Sequence, residues 1–468
     1  MAGDLETGAQ KRPVWLQPLS AGGGPRYLQI ADAIARGVRE GALVPGDQIP
    51  PQRWMAKELG VDLTTVTRAY AEARRRGLLA SFGGRGSFIA PPHEALQDSV
   101  LDLTMNLPPQ TADRALAEHI RTGIEAVLAQ QRIESISGYQ NLEANAPAQA
   151  IARIWLGPLM DDLTESRLLM CAGAQGAIFN LLMTHTQPGD TVLSDELTYP
   201  GFLRAAQALG LKVVGIPGDA SGIRPDSLEQ CQRETGARVL YLNPTIHNPT
   251  TLTMPAARRQ EIAIMLMRLN MTLIEDDPYR RLANDAPPPI TVYTSGSRSY
   301  YLASLSKCLW PGLRFAYVVA PSDQATDSLL QHFRASSMGC SPLLASLAQS
   351  WIRDGTAISL VAEIQREARA RQTMARSMLP ADIQAHPSGL HLWLPLPEQW
   401  TARTFSQALE GAGFRIAVAD AFCVSGRSPE AVRVSVGGAR NHSALSAAFR
   451  QISALLTKTP SESANMVI

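Results

Sequence analysis

The sequence predicts an α/β protein in two parts: a small, mostly helical N-terminal domain and a large body on a largely parallel sheet. Three observations carry this reading. Near the N-terminus, helical apolar spacing is cut into three short pieces by Gly41, Gly60 and Gly77. From Leu168 to Ala320, short β-prone runs alternate with helical patterns, as in sheets whose strands are joined by crossover helices. At the end of one such run stands Lys307, in Ser304-Leu305-Ser306-Lys307-Cys308-Leu309-Trp310-Pro311-Gly312-Leu313-Arg314. A lysine set between hydroxyls and a Pro-Gly turn is placed to be held rather than solvated.

At 468 residues the chain exceeds one ordinary domain, and 45% apolar residues supply large cores. The net charge of +1 names no partner, but its distribution is uneven: residues 1–92 carry +4 and the remainder −3. A basic head suits nucleic acid, weakly on charge alone. Five cysteines without a CxxC pair fit a reducing cytoplasm and argue against a disulfide framework or zinc site. The eight histidines show no HExxH-like metal spacing. No apolar run approaches the roughly 18 residues of a membrane span. The polar, acid-containing start is not expected to be a signal peptide.

Residues 1–24 read as a flexible lead-in, with Trp15 and Leu16 able to dock. Tyr27, Ile30, Ala33/Ile34 and Val38 give a first helix from Arg26, stopped by Gly41. Pro45-Gly46-Asp47 turns the chain. Pro50-Pro51-Gln52-Arg53 opens a second helix through Leu59, and Asp62 is positioned to cap a third, Leu63 to Arg76. Leu78 to Ala90 reads as two strands around Gly83-Gly84-Arg85-Gly86. The unit, residues 25–92, is a winged helix-turn-helix, followed by a linker over 93–100. Such a motif sets the start of its recognition helix in the major groove of double-stranded DNA. Thr64, Thr65, Thr67 and Arg68 occupy that start, and Arg53 precedes it. Arg85 stands at the wing tip for a minor groove, and Arg74-Arg75-Arg76 can track phosphate. The bland alternative is a solvated arginine face on an accessory domain. The order Ile49-Pro50-Pro51-Gln52-Arg53, Leu59-Gly60-Val61, Thr65-Val66-Thr67-Arg68-Ala69-Tyr70, Gly77-Leu78 and Gly84-Arg85-Gly86-Ser87-Phe88-Ile89 resembles the winged-helix domain of the GntR superfamily of bacterial repressors. Asp62-Leu63 stands where that family usually has Ser-Arg, so an operator contact is not carried over there.

In the body, residues 101–458, the runs read as strands at 168–172, 191–195, 212–216, 238–242, 271–275, 299–303 and 315–320. Helices are expected at 174–186, 200–210 and 255–270, and helical character over 324–378. Residues 383–436 mix both and suggest a smaller C-terminal α+β subdomain; the last dozen residues read as a tail.

Several groups converge on the chemistry of a lysine with an aldehyde cofactor. Cys171-Ala172-Gly173-Ala174-Gln175-Gly176 joins a strand to a helix whose first amides can cradle a phosphate. Tyr199 can stack on a ring, and Asn248 and Tyr279 can bond a phenolic oxygen. Asp276 or Asp277 can hold a ring nitrogen protonated. Ser304, Ser306 and Arg314 can bind phosphate, and Arg433 can clamp a ligand carboxylate. Singly, each is ordinary packing. Together their order resembles the fold-type I aminotransferases over residues 101–455. That resemblance implies pyridoxal 5'-phosphate, with Lys307 as its Schiff-base lysine and Asp276, rather than Asp277, as the ring-nitrogen partner. Departures are Thr251, where glycine is usual, and the stretch after Gly138-Tyr139, which lacks the usual Pro and Gly and leaves the role of Tyr139 across a dimer interface open.

A GntR-like head on a PLP-dependent fold-type I aminotransferase-like body resembles the MocR-type regulators. This implies a cytoplasmic, homodimeric, DNA-binding transcriptional regulator. It would sense PLP, a small amino acid or an amine by aldimine exchange at Lys307, with little or no steady turnover. Two other readings stay open: an active aminotransferase with an accessory DNA-binding head, and a sensor of PLP alone.

Overall fold

The computed structural model describes residues 13–20, 24–44, 46–81, 86–90, 100–109, 113–131, 133–138, 146–160, 163–294, 298–337, 339–426 and 428–458. The chain divides into two compact units, Met1–Val100 and Leu101–Ile468.

In the first unit, helices α1 (Arg26–Arg39), α2 (Gln52–Leu59) and α3 (Leu63–Arg75) pack on a three-stranded antiparallel sheet. Its order is β1-β3-β2, from β1 (Gln48–Ile49), β2 (Leu79–Ser81) and β3 (Ser87–Ile89). The sequence reading lacks β1, since two residues carry no alternation signal. Gly60 ends α2 with a left-handed φ of 60°, which L-residues with side chains rarely adopt. Asp62 stands at the N-cap of α3, but its side chain makes no capping bond. Ile30, Ile34, Met55, Val66 and Tyr70 form the core, and Leu16 docks into it as expected. The Tyr70 hydroxyl donates to the buried Pro50 carbonyl, fixing the turn into α2 against α3. Tyr70→Phe leaves that carbonyl unpaired and is expected to cost the head about 1–3 kcal/mol. Calorimetry of the full chain should show the head transition lowered and the body transition unmoved.

The second unit begins with β4 (Leu101–Asp102) and helices α4 (Asp113–Gln130), α5 (Ile133–Ser137) and α6 (Ala146–Leu156), three helices absent from the sequence reading. Then come β5 (Leu168–Cys171), α7 (Ala174–His185), β6 (Thr191–Asp195), α8 (Pro200–Ala208) and β7 (Lys212–Ile216). A hairpin of β8 (Gly218–Asp219) and β9 (Gly222–Ile223) leads to α9 (Pro225–Thr235), β10 (Val239–Leu242), α10 (Ala256–Arg268) and β11 (Thr272–Asp276). The short α11 (Ile290–Tyr293), β12 (Ser299–Ser304) and β13 (Ala316–Val319) complete the large sheet region.

The sheet runs β5-β13-β12-β11-β10-β6-β7. All neighbours pair in parallel except around β13, which is antiparallel to both β12 and β5. Alternate residues face opposite sides. Tyr241, Ile274 and Leu302 pack in one cluster with Ile178 and Phe202, and Leu240, Leu242 and Leu273 pack in another with Ile262. Burial on both faces explains the nearly unbroken apolar runs read from sequence. Helices α12 (Asp323–Ser336), α13 (Pro342–Arg353) and α14 (Thr356–Met378) follow.

The smaller C-terminal subdomain is α+β. It holds β14 (Gln384–Ala385), β15 (His391–Pro395), α15 (Ala402–Gly411), β16 (Phe414–Arg415), β17 (Ala417–Val418), β18 (Ala431–Ser435) and α16 (His442–Leu456). Four of these strands form an antiparallel sheet, β14-β15-β18-β17. β16 instead pairs in parallel with β4, so the first residues of the body lie on its last subdomain.

Candidate functional site

The register brings Cys171, Ser304 and Ala316 side by side, with Leu302 opposite Asp276. Lys307, the start of α7, Asp276 and Arg314 therefore gather beyond the carboxyl ends of β5, β11 and β12, where open α/β sheets bind ligands.

Lys307 sits in a turn just past β12, closed by the Leu309 N–H donating to the Leu305 carbonyl at 2.9 Å. Its Nζ donates to the Asn106 backbone carbonyl at 2.6 Å. Burial, then the Arg433 guanidinium, pulls its pKa down to about 8, with Asp276 opposing. Asp276 ends β11. Its Oδ2 accepts from the Tyr241 hydroxyl at 2.8 Å, and its carbonyl accepts from Asn243 Nδ2 at 2.6 Å. Its Oδ1 is buried with no partner among the described residues. Burial raises the carboxyl to about 7, with the Tyr241 bond holding it down. Asp277, whose Oδ1 is likewise unpartnered, faces Tyr301, Arg259 and Arg280 rather than Lys307.

Asn248 is held through its N–H, which donates to Asn243 Oδ1 at 2.9 Å. Arg433 Nη1 donates to Asn248 Oδ1 at 2.6 Å, and Nη2 donates to the Thr104 carbonyl. Burial lowers Arg433 to about 10, and its guanidinium carbon lies 4.8 Å from the Phe422 ring centre. The Tyr279 hydroxyl accepts from Asn106 Nδ2 at 2.9 Å, and Asn106 also bonds His391 Nδ1 at 3.0 Å. Burial pushes Tyr279 up to about 12.

At the other end, α7 opens behind Gly173, at φ 86°, with no side-chain cap on the amides of its first turn, which begins Ala174-Gln175. A Cβ at 173 would lie 3.4 Å from Arg314 Nη2, so Arg314 crosses the helix start closely. Gln175 Nε2 donates to the Gly201 carbonyl at 2.8 Å, leaving its backbone for a ligand. Ser304 Oγ accepts from the Ser306 N–H at 3.3 Å. Tyr199 is part-buried before α8, its phenol raised by burial and next by Asp276. Thr251, where glycine is usual, takes φ 64°, a left-handed conformation that costs an L side chain roughly 1–2 kcal/mol. Sequence reasoning missed Asn106, Tyr241, Asn243 and His391. Tyr139 lies outside the described residues.

In the head, Arg53, Thr64, Thr67 and Arg68 are exposed and Thr65 half-buried. Thr67 Oγ1 is engaged with Gln52 Oε1 and the Leu63 carbonyl, each at 2.9 Å. Arg68 lies over the Tyr27 ring, 4.7 Å from its centre. Arg75 and Arg76 pair with Glu72, and Arg76 with Asp32 as well, so this stretch is less free for phosphate than its composition implies. Arg85 lies outside the described residues.

Residues 98–452 match the family of class I and II aminotransferases. The chain belongs to that family. Residues 26–89 match the bacterial regulatory proteins of the gntR family. The HTH-type transcriptional regulator YdeF of Bacillus subtilis is 29% identical over 90% of this chain and 92% of its own. The vitamin B6 salvage pathway transcriptional repressor PtsJ of Salmonella typhimurium is 28% identical over 86% and 93%. In fold, the body is similar to the α-aminoadipate aminotransferase LysN of Thermus thermophilus, with TM-score 0.69 and 22% identity over 85% of this chain and all of that one.

Pyridoxal phosphate is the cofactor that family membership assigns to the body. The residues present fit it. Lys307 has an amine near neutrality, Asp276 offers a buried unpartnered oxygen, and α7 offers an uncapped N-terminus beside Arg314. No helix among the described residues is long and apolar enough to cross a membrane.

Proposed function

We propose that this chain is a PLP-dependent transcriptional regulator that binds double-stranded DNA as a cytoplasmic homodimer. Its body would sense PLP together with a small amino acid or amine. One observation carries the reading: a lysine held at about 8 shares its site with the unpartnered oxygen of Asp276, in a chain whose other unit is a helix-turn-helix. The relatives named as regulators over most of their length, one of them a vitamin B6 repressor, support it.

When bound, pyridoxal phosphate supplies an aldehyde that a primary amine can take over from a lysine. Lys307 would be the amine that holds it. Asp276 Oδ1 would accept the ring N–H, with the Tyr241 bond keeping the carboxylate aimed. The first-turn amides of α7, with Arg314, Ser304 and Ser306, bind the phosphate. Arg433 fixes the carbonyl end of the Asn248 amide, leaving Nδ2 as the donor for the phenolic oxygen, beside Tyr279. Tyr199 would stack on the ring. Thr64, Thr65, Thr67 and Arg68, at the start of α3, and Arg53, at the start of α2, would face DNA, with Arg85 as a further contact on the sequence pattern. A ligand that binds the two states of the body unequally shifts the presentation of the heads.

The test titrates labelled duplex with PLP-loaded protein while amino acids and amines are added and cofactor absorbance is recorded. DNA affinity should move with the spectral change while no keto acid accumulates. Steady keto-acid formation with unmoved DNA binding would overturn the regulator reading.

A further inference from the structure

A row of four polar groups leads to Tyr279, and the first of them fixes the rest. The His247 backbone carbonyl can only accept. It takes the Thr251 N–H at 2.7 Å and faces His391 Nε2 at 3.2 Å, so Nε2 must carry a hydrogen. His391, on β15, is fully buried, and burial, then the Arg433 charge, holds it well below the usual histidine range. A neutral imidazole with its hydrogen on Nε2 has a bare Nδ1, which can only accept. The group 3.0 Å from Nδ1 is therefore a donor, the Asn106 amide nitrogen. An amide turned the other way would set its oxygen against that bare nitrogen, acceptor against acceptor. Asn106 Oδ1 is buried with no partner among the described residues, so no bond on that side pulls the amide round. The backbone is held as well: Leu103 lies in the core of the C-terminal subdomain, and the Asn106 carbonyl accepts from Lys307 at 2.6 Å.

The second hydrogen of Asn106 Nδ2 goes to the Tyr279 hydroxyl oxygen at 2.9 Å, the only bond this hydroxyl makes among the described residues. A hydroxyl whose oxygen already accepts still has its proton to give, and a buried donor without an acceptor is destabilising. We infer that Asn106 and His391 are positioning residues that hold the Tyr279 hydroxyl as a proton donor to the phenolic oxygen of pyridoxal phosphate. This rests on the cofactor placement proposed above, not on the regulator reading, and it gives Tyr279 a direction there. With Asn248 Nδ2 as the other donor, the phenolic oxygen would meet two hydrogen bonds, which favour its anionic form.

The test compares pyridoxal 5'-phosphate with 3-deoxypyridoxal 5'-phosphate, which lacks the phenolic oxygen, by equilibrium titration of the full-length protein. Asn106→Leu keeps the side chain near its original size and removes its donors. Affinity for pyridoxal phosphate should fall about fivefold, the contribution of one hydrogen bond, while affinity for the deoxy analogue should move less than about twofold. Made in a Tyr279→Phe background, Asn106→Leu should change neither affinity by more than about twofold. Equal losses on both ligands, or no loss on either, overturn the relay and leave Asn106 a packing residue. A wild type that binds the two ligands equally shows instead that the phenolic oxygen does not meet Tyr279, and overturns the placement on which the inference rests. Should Asn106→Leu not fold, neutron diffraction from wild-type crystals reads the relay directly. A hydrogen on His391 Nε2 and none on Nδ1 is the expected result, and the reverse overturns it.

Discussion

Lys307→Ala is expected to abolish covalent retention of the cofactor: borohydride treatment followed by denaturation should leave label on the wild type and none on the variant, with the fold intact by circular dichroism. The environment of Lys307 makes this the largest single effect. The attacking species is the neutral amine. With its pKa lowered to about 8, chiefly by burial and the Arg433 charge, about a tenth of Lys307 is neutral at pH 7, against roughly 0.04% for an ordinary lysine near 10.4. That is roughly a two-hundredfold gain in reactive amine. The sign follows for pH: protonation silences Lys307 below its pKa. The rate of cofactor capture should therefore rise about tenfold per pH unit from pH 6, then level off above about 8. A rate still climbing steeply at pH 9.5 would mean that Lys307 is an ordinary solvated lysine.

Asp276→Asn should weaken cofactor binding by roughly 10- to 100-fold, since a hydrogen bond to a charged group contributes about 1.5–3 kcal/mol and each decade of affinity is about 1.4 kcal/mol. Asparagine can still accept from Tyr241, so packing survives. What is lost is the anionic acceptor at Oδ1, the buried atom without a partner among the described residues. Burial holds this carboxyl at about 7, so in the empty site it is protonated below that pH and anionic above it. Wild-type affinity for the cofactor should therefore strengthen from pH 6 to 8, on top of the Lys307 trend in rate. Equilibrium titration of Asp276→Asn should lose the Asp276 component. An unchanged dissociation constant would return the ring-nitrogen role to Asp277.

Much of this site was legible because its residues sit in short motifs at element ends. Lys307 follows a strand into a Pro-Gly turn, Asp276 ends a strand, and Gly173 precedes a helix; each junction leaves a local trace. Asn106 left none, because it works through its backbone carbonyl and a side-chain network with Tyr279 and His391 that spans distant parts of the chain. Tyr241 was read as strand only, since in Val239-Leu240-Tyr241-Leu242 every position is buried and no alternation marks its face. The reversal of β13 is invisible for the same reason: a run buried on both faces has no direction in its composition. In the head, Arg68 and Thr67 looked free because their partners, Tyr27 and Gln52, come from other helices. The left-handed φ of Thr251 gives physical content to the glycine usual there.

That single reversed strand has a consequence for how the protein can vary. Because β13 turns straight back beside β12, the eleven residues 305–315 supply both the amine of Lys307 and the guanidinium of Arg314 without leaving that end of the sheet. A parallel continuation would have needed a crossover of a dozen or more residues and would have begun at the opposite end of the strands. The compactness removes slack. Elsewhere in the body, an inserted residue can bulge into a surface connection between helix and strand. Between Lys307 and Arg314 it would swing one group away from the other, so this is the stretch of the body where the chain's length, more than its side chains, is under constraint.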